Sequence, residues 1–215
     1  MANPQILRSA IVEMQGSLDT SKTLTGVSNA SEGVFTGTHD FAIGDLIVIG
    51  APVGMPTLGN QVVRVKSVNT TVDFTAEGFD TTNSGTYVSG GTAEKVLTFL
   101  AFDNVTNLSL PDDPPEELDV TTIHDSEKQN VFGLEAASKG TFSTIADPLS
   151  TTSVEIGVSR AANTRRVFRV TLQSGYVGIF NAFVSGGRGI DGGAGAAATG
   201  TVSLTLRSPA QWFAS

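Results

Sequence analysis

With 215 residues, no cysteine, 16% charged residues and a formal net charge of −8, the chain is long enough for one large β domain or two smaller ones with real cores. The missing cysteines exclude a disulfide framework, a thiol nucleophile and a thiolate metal site. The negative balance excludes tight nucleic-acid binding, which needs clustered Lys and Arg to release counterions, though not a wall that DNA slides past. Abundant Gly, Thr, Ser and Val favour strands and turns over helices. The opening MANPQILRSA lacks the layout of a secretion signal, and no apolar run approaches the ~20 residues that span a bilayer. A soluble product made in the cytoplasm, with no membrane partner, is expected.

Residues 1–23 hold one strand, around Ala10 to Met14, before the turn-rich GSLDTSK. It suits either an arm added to a sheet or a frayed terminus. Residues 24–96 read as a compact all-β unit, with short runs at Gly33–Thr36, Leu46–Ile49, Val62–Val68 and Thr71–Thr75 separated by turn signals. Leu46-Ile47-Val48-Ile49 is continuously apolar, as in a strand buried on both faces. Three marks stand out: the turn of His39, Phe41, Gly44 and Asp45; the run of Gly54, Met55, Leu58, Gly59 and Asn60; and Tyr87, Ser89, Gly90, Gly91 and Thr92. On these marks the segment resembles a small β-barrel module named for a half-domain of ubiquitin-activating enzymes and found in phage virion proteins. The resemblance implies a fold, not ubiquitin chemistry.

KVLTFLAFDNVTNLSL (95–110) follows. Leu97, Phe99 and Ala101 share one strand face and Val96, Leu100 and Phe102 the other, so both faces are expected to be covered. From Asp103 to Glu127 there are eight acids and no Lys or Arg. Such a segment is a solvated loop or an arm that meets another surface. Within it, Glu117-Leu118-Asp119-Val120-Thr121-Thr122, followed by a polar run and Phe132-Gly133-Leu134, resembles the centre of the major tail tube proteins of long, non-contractile phage tails. The resemblance implies that this region links two halves of the tube domain and reaches a neighbouring subunit.

Asp147-Pro148 offers an N-cap and a proline at N1, but Val154, Ile156 and Val158 stand at strand spacing. Tail tube proteins are similar in having a helix here, so a helix is expected against local propensity. Phe168, Val170 and Leu172 then alternate with Arg169 and Thr171. Tyr176–Val184 forms a second strand after a Gln173-Ser174-Gly175 turn, and Val202, Leu204 and Leu206 mark a third. Trp212 and Phe213 are expected to dock.

The remaining motifs carry little chemistry. GRGIDG (Gly187–Gly192) matches a dinucleotide fingerprint in letters, yet a Gly/Ala run and a strand follow instead of a helix, and no acid occurs after Asp191. It reads as a flexible interface loop. His39 and His124 are far apart and make a poor metal set. Glu116, Glu117 and Asp119 have nothing apolar around them to raise a pKa. No catalytic residue, cofactor or metal is expected, and no enzyme.

The expected fold is mainly β: a tail-tube β-sandwich or barrel with one short helix and an inserted small β-barrel. Residues 1–23 are its N-terminal arm, 24–96 the insertion and 97–215 the tube domain. The resemblance implies hexameric rings stacked into a tube that conducts DNA without binding it specifically. Its partners are then further copies, the tape measure protein, and the terminator and tip proteins of the tail. The alternative is a host-surface or carbohydrate-binding virion module, which needs an exposed aromatic platform. Charge asymmetry suggests one contact between subunits. From Arg160 to the C-terminus there are six Arg and one acid, so Glu116, Glu117 and Asp119 of one subunit are expected to meet Arg165, Arg166 and Arg169 of the next.

Overall fold

The computed structural model describes residues 7–69, 71–111, 114–133, 138–187 and 189–214. Strand β1 (Ile11–Leu18) runs longer than its apolar letters suggest and leads through the short β2 (Lys22–Thr23), β3 (Gly26–Val27) and β4 (Val34–Thr36) to β5 (Leu46–Ile49). A 3-10 turn (Pro56–Leu58) precedes β6 (Gln61–Asn69) and β7 (Asp73–Ala76), and the chain returns along β8 (Thr92–Phe102). Then come β9 (Val105–Ser109), β10 (Glu117–Asp119), β11 (Asn130–Phe132), β12 (Lys139–Ile145), the helix α1 (Thr151–Ala161), β13 (Arg165–Thr171), β14 (Val177–Val184), β15 (Thr199–Leu206) and β16 (Gln211–Phe213). The expected strands and single helix are present.

Residues 22–96 close on themselves. The hydrogen-bonded order β4-β7-β6-β5-β8 is completed by the segment that carries β2 and β3, because β2 pairs with β8 and β3 with β4. The result is a small closed barrel. Its interior holds Phe35, Phe41, Ile47, Ile49, Met55, Leu58, Val63, Val65 and Phe74, all buried. His39 belongs to this core. It stacks on Phe41 at 4.8 Å, meets Phe74 edge-on, and accepts the Phe41 amide through Nδ1 at 3.2 Å. Glycines sit where the barrel backbone crowds: at Gly54, φ +90°, a Cβ would lie 2.0 Å from the Thr86 carbonyl.

The larger sheet runs β8-β1-β13-β14-β15-β12-β9 and folds over its own core. Phe102 meets Phe142 at 4.8 Å, Phe142 meets Phe168 at 6.4 Å, and Phe168 stacks on Phe180 at 5.5 Å, with Val12, Met14, Val202 and Leu204 between them. Helix α1 adds Ile156 to that core. Ser150, three residues later than Asp147, caps the helix by accepting the Ser153 amide at 3.3 Å. Asp147 instead accepts the Leu149 amide at 3.3 Å, so Asp147-Pro148 heads the preceding turn rather than the helix itself. Propensity favoured a strand here, and burial of Ile156 decided for the helix.

Strand β8 belongs to both halves. Its first residues pair with β5 in the barrel, and Val96 to Phe102 pair with β1 in the larger sheet. At the transition β1 carries a bulge, where Gly16 and Ser17 oppose Thr98 and a Cβ on Gly16 would lie 2.7 Å from the Thr98 hydroxyl. The halves also share a third core. Leu46 and Val62 of the barrel pack with Val167, Ile179 and Phe213 of the larger sheet. Polar bonds reinforce this contact: the Asn181 amide donates to the Asn60 carbonyl at 2.8 Å and Arg64 to the Ala214 carbonyl at 2.9 Å.

Strand β8 is not covered on both faces along its length. Only part of the Leu97 face of β8 is covered: Phe99 packs under Arg169, but Leu97 is 52% exposed and Ala101 is exposed too. Beyond Lys95, β8 has a partner on one side only among the described residues, β1.

Candidate assembly interface

Among the described residues, two surfaces lack a partner within the chain. The first is a seam. β8 and β9 are joined by Asp103 and Asn104 alone, yet they are not hydrogen-bonded neighbours. They lie at opposite ends of the seven-strand run, β8 against β1 and β9 against β12. Among the described residues the larger sheet therefore stays open, with one free edge on each side of the seam. Alternation does not reveal this, because it reports which face of a strand is buried and not which edge is paired.

The second surface is the acidic segment. It is not loop throughout: β10 and β11 pair as a separate two-stranded hairpin, Glu117 opposite Phe132 and Asp119 opposite Asn130. Its turn is held by side chains. Asp119 accepts the Thr121 amide at 2.9 Å, and Asp125 accepts the amide and hydroxyl of Thr122 at 2.7 and 2.9 Å. These bonds to Thr121 and Thr122 lower the pKa of Asp119 and of Asp125 below the ordinary aspartate value. Glu117 accepts from the Asn130 amide side chain at 3.1 Å and Lys128 lies 3.6 Å from Asp119. Leu118, Val120 and Val131 are about half exposed, Phe132 72% and Ile123 96%. Apolar side chains this exposed mark a candidate contact surface. His124 sits exposed in this turn, far from the buried His39.

The arginines proposed to receive the acids divide differently from the sequence expectation. Arg166 binds Glu155 and, through Nε, the Ser159 hydroxyl at 2.9 Å, tying α1 to β13. Arg169 donates to Glu13 at 2.6 Å and lies 4.0 Å over the Phe99 ring. Both already hold a carboxylate of their own chain. Arg165 lies over Phe183 at 4.4 Å, and its buried Nε has no hydrogen-bond partner. Burial, and then the neighbouring Arg207, lower its pKa from the ordinary arginine value. Of the three, Arg165 is the one with donor capacity to spare, and Arg207 stands beside it. None of Glu116, Glu117 or Asp119 meets these arginines within one chain. Glu13, Glu155 and Arg207 carried no sequence signal, because their roles depend on which strand lies next to which.

The GRGIDG loop leads into β15 rather than a helix. Asp191 pairs through its backbone with Thr199, and Gly187 (φ +135°) sits where a Cβ would lie 2.9 Å from Ile156. The loop's Arg188 lies outside the described residues. Among the described residues, no group of three or more His, Asp or Glu side chains is placed to hold a metal ion.

A sheet left open at both edges, with a projecting acidic hairpin, is the form of a structural β-protein that other subunits complete. A family model described as phage tail tube protein, TTP, matches residues 53–214, well over half of the chain, and the chain belongs to that family. It is a structural protein of the phage virion, located in the tail. No curated protein matches the sequence.

Proposed function

We propose that copies of this chain, made in the host cytoplasm, join head to tail into hexameric rings and that the rings stack into a tube for DNA and the tape measure protein, capped by tip and terminator proteins. No catalysis is part of this role. The observation that carries the reading is the open seam, with β8 and β9 at opposite ends of the strand run; in the proposed ring the edge of β9 in one subunit pairs with the edge of β8, from Leu97 to Phe102, in the next. Two different edges make a heterologous contact, which closes as a ring and leaves no edge exposed. Main-chain pairing across the seam supplies the affinity, and Leu97 gains cover.

The channel wall is then the outer face of β9, β12 and β15. Ser109, Thr141 and Ser203 form one row across it, and Asn107, Ser143 and Thr201 another. These two rows carry hydroxyls and an amide but no charge, and the one cation on this face of β12 is Lys139, opposite Thr205 at the strand's start, so most of the wall offers DNA phosphates little to grip. Residues 24–96, which resemble the small half-domain module, decorate the outside of the tube. The adjacency of β2 and β8 at the barrel's entry and exit supports an insertion. The hairpin of the acidic segment reaches the Arg165 and Arg207 pair of a neighbour.

Because the chain has no cysteine, paired substitutions report contacts cleanly. Thr98→Cys or Ala101→Cys, combined with Asn107→Cys or Ser109→Cys, is expected to give an oxidised ladder of up to six chains on a denaturing gel. Tubes that form normally while every edge pair stays uncross-linked would overturn the strand assignment. Particles that never exceed monomers in negative stain would overturn the tube.

A further inference from the structure

One end of the larger sheet gathers positive charge without a matching acid. By strand register, Lys139 of β12, Thr205 of β15, Phe183 of β14 and Arg165 of β13 lie in one row on the same face. Arg207 follows two residues after Thr205 and so shares that face. Its amide donates to the Asn181 carbonyl at 2.8 Å, and its guanidinium reaches the Thr57 carbonyl of the barrel at 3.4 Å. Elsewhere the cations at strand contacts hold carboxylates: Arg64 with Glu77, Lys95 with Asp45, Arg166 with Glu155 and Arg169 with Glu13. Among the described residues, no carboxylate lies within ion-pair distance of Lys139, Arg165 or Arg207.

The geometry around Arg165 and Arg207 suits an anion. The Arg165 guanidinium lies 4.4 Å over the Phe183 ring, which holds its plane, and its buried Nε lacks a hydrogen-bond partner. Burial first, and then the charge of Arg207, lower the Arg165 pKa, so the fold keeps two like charges together against both desolvation and repulsion. An oxyanion held by both would offset the two costs. Guanidinium groups present their donors in a planar fork, and a tetrahedral oxyanion has enough oxygens to engage two forks at once. Lys139, at the far end of the row, adds to the local positive field.

We propose that Arg165 and Arg207 form an oxyanion site that takes inorganic phosphate in the unassembled subunit, and that phosphate there competes with the acidic hairpin of an incoming neighbour. Free phosphate and the hairpin carboxylates share one chemistry, so occupancy by the first delays contact with the second. The competition rests on the tube reading above, whereas phosphate binding by a single subunit does not.

The buried Nε–H of Arg165 is a reporter within the site. The full chain, kept unassembled, is titrated with sodium phosphate, and with sodium chloride at matched ionic strength, while arginine Nε–H signals are followed by NMR. The Arg165 signal is expected to shift saturably below ~20 mM phosphate and not with chloride, while that of Arg169, which already holds Glu13, stays still. Arg207→Gln, which keeps the reporter, is expected to weaken phosphate binding about tenfold. In light scattering at matched ionic strength, phosphate is expected to slow tube growth several-fold in the native chain and to leave growth of the Arg207→Gln variant unchanged. No saturable shift, or one that Arg207→Gln leaves undiminished, overturns the site. Phosphate that binds but leaves growth of the native chain unchanged overturns the competition. If no tubes form in any buffer, the tube reading fails and takes the competition with it, while the titration still decides the site.

Discussion

The small barrel and the larger sheet are built from the same materials, short strands with buried phenylalanines, but they end differently. The barrel closes because one continuous stretch, Lys22 to Val27, pairs with β8 at one end and β4 at the other. The larger sheet has seven strands, wraps a comparable core, and still fails to join β8 to β9 although only two residues separate them. A closed barrel satisfies its own backbone and needs no neighbour. An open one leaves N–H and C=O groups unpaired, a hazard for a monomer and a joint for a polymer. Here the unit that closes is the one proposed as decoration, and the unit that stays open is the one proposed to build the tube.

Separating the halves should have the largest effect. Replacing Leu24–Val96 with a short Gly/Ser linker removes Leu46 and Val62 and uncovers Val167, Ile179 and Phe213. At ~25 cal/mol per Å² of apolar area the uncovered patch costs several kcal/mol. The bare deletion is expected to aggregate, whereas a version that also carries Val167→Thr, Ile179→Thr and Phe213→Ser is expected to fold and form narrower tubes. Size-exclusion chromatography and negative stain decide it. Failure of both versions to fold would mean that the larger sheet depends on the barrel for more than cover.

A smaller effect tests how β16 is held to the larger sheet. Gly178→Ala sets a methyl group against the Trp212 ring, and strain of this kind typically costs about 1–3 kcal/mol. The expected result is a lower thermal midpoint together with a red-shifted tryptophan emission. An unchanged midpoint would show that β16 moves aside freely.

Charge reversal in the hairpin should matter less for stability and more for rate. Glu116→Lys with Glu117→Lys is expected to leave the monomer folded and to slow tube growth several-fold at low salt, with the difference shrinking as salt rises. Arg165→Glu with Arg207→Glu in a second chain should restore part of the rate when the two are mixed. The same rescue through Arg166→Glu or Arg169→Glu should fail, because those changes break contacts to Glu155 and Glu13 inside the subunit. Light scattering against time reads each case. Normal growth of the Lys variant at every salt concentration would leave the acidic segment a solvated surface.

The smallest effect concerns pH. Asp119 and Asp125 have pKa values depressed in the folded hairpin by bonds from Thr121 and Thr122, so they stabilise the turn above the ordinary aspartate range. That contribution is lost only as pH falls through the lowered values. Amide chemical shifts of Thr121 and Thr122 should therefore hold steady from neutral pH to below the usual aspartate midpoint and then move together. Movement at the ordinary midpoint would mean that the turn is not held by these carboxylates.

Much of this architecture was legible in the sequence. The run Leu46-Ile47-Val48-Ile49 coincides with β5, the alternation of Phe168, Val170 and Leu172 follows β13, and the eight acids from Asp103 to Glu127 mark the exposed segment. These readings succeed because burial is recorded residue by residue, in side-chain polarity and its period. β12 was missed, since KGTFSTI carries a single large apolar residue, Phe142, and its core position depends on neighbours that arrive from β9 and β15. The helix cap fell on Ser150 rather than Asp147 for a similar reason, as both residues have the chemistry and only the packing of Ile156 fixes where the first turn begins.

Composition and residue pattern alone point to a β protein, one helix, an exposed acidic segment, no thiol chemistry and a resemblance to a tail tube family. The strand and side-chain pairings come from tertiary packing alone. Glu13 meets Arg169 across 156 positions, Phe213 crosses to Val167 and Leu46, and β8 turns away from β9 although the chain joins them. Side-chain pattern fixes which face of a strand looks inward, whereas the choice of edge partner is made by backbone groups that every residue carries alike. The open seam, the feature on which the proposed assembly rests, is therefore invisible in the letters and plain in the fold.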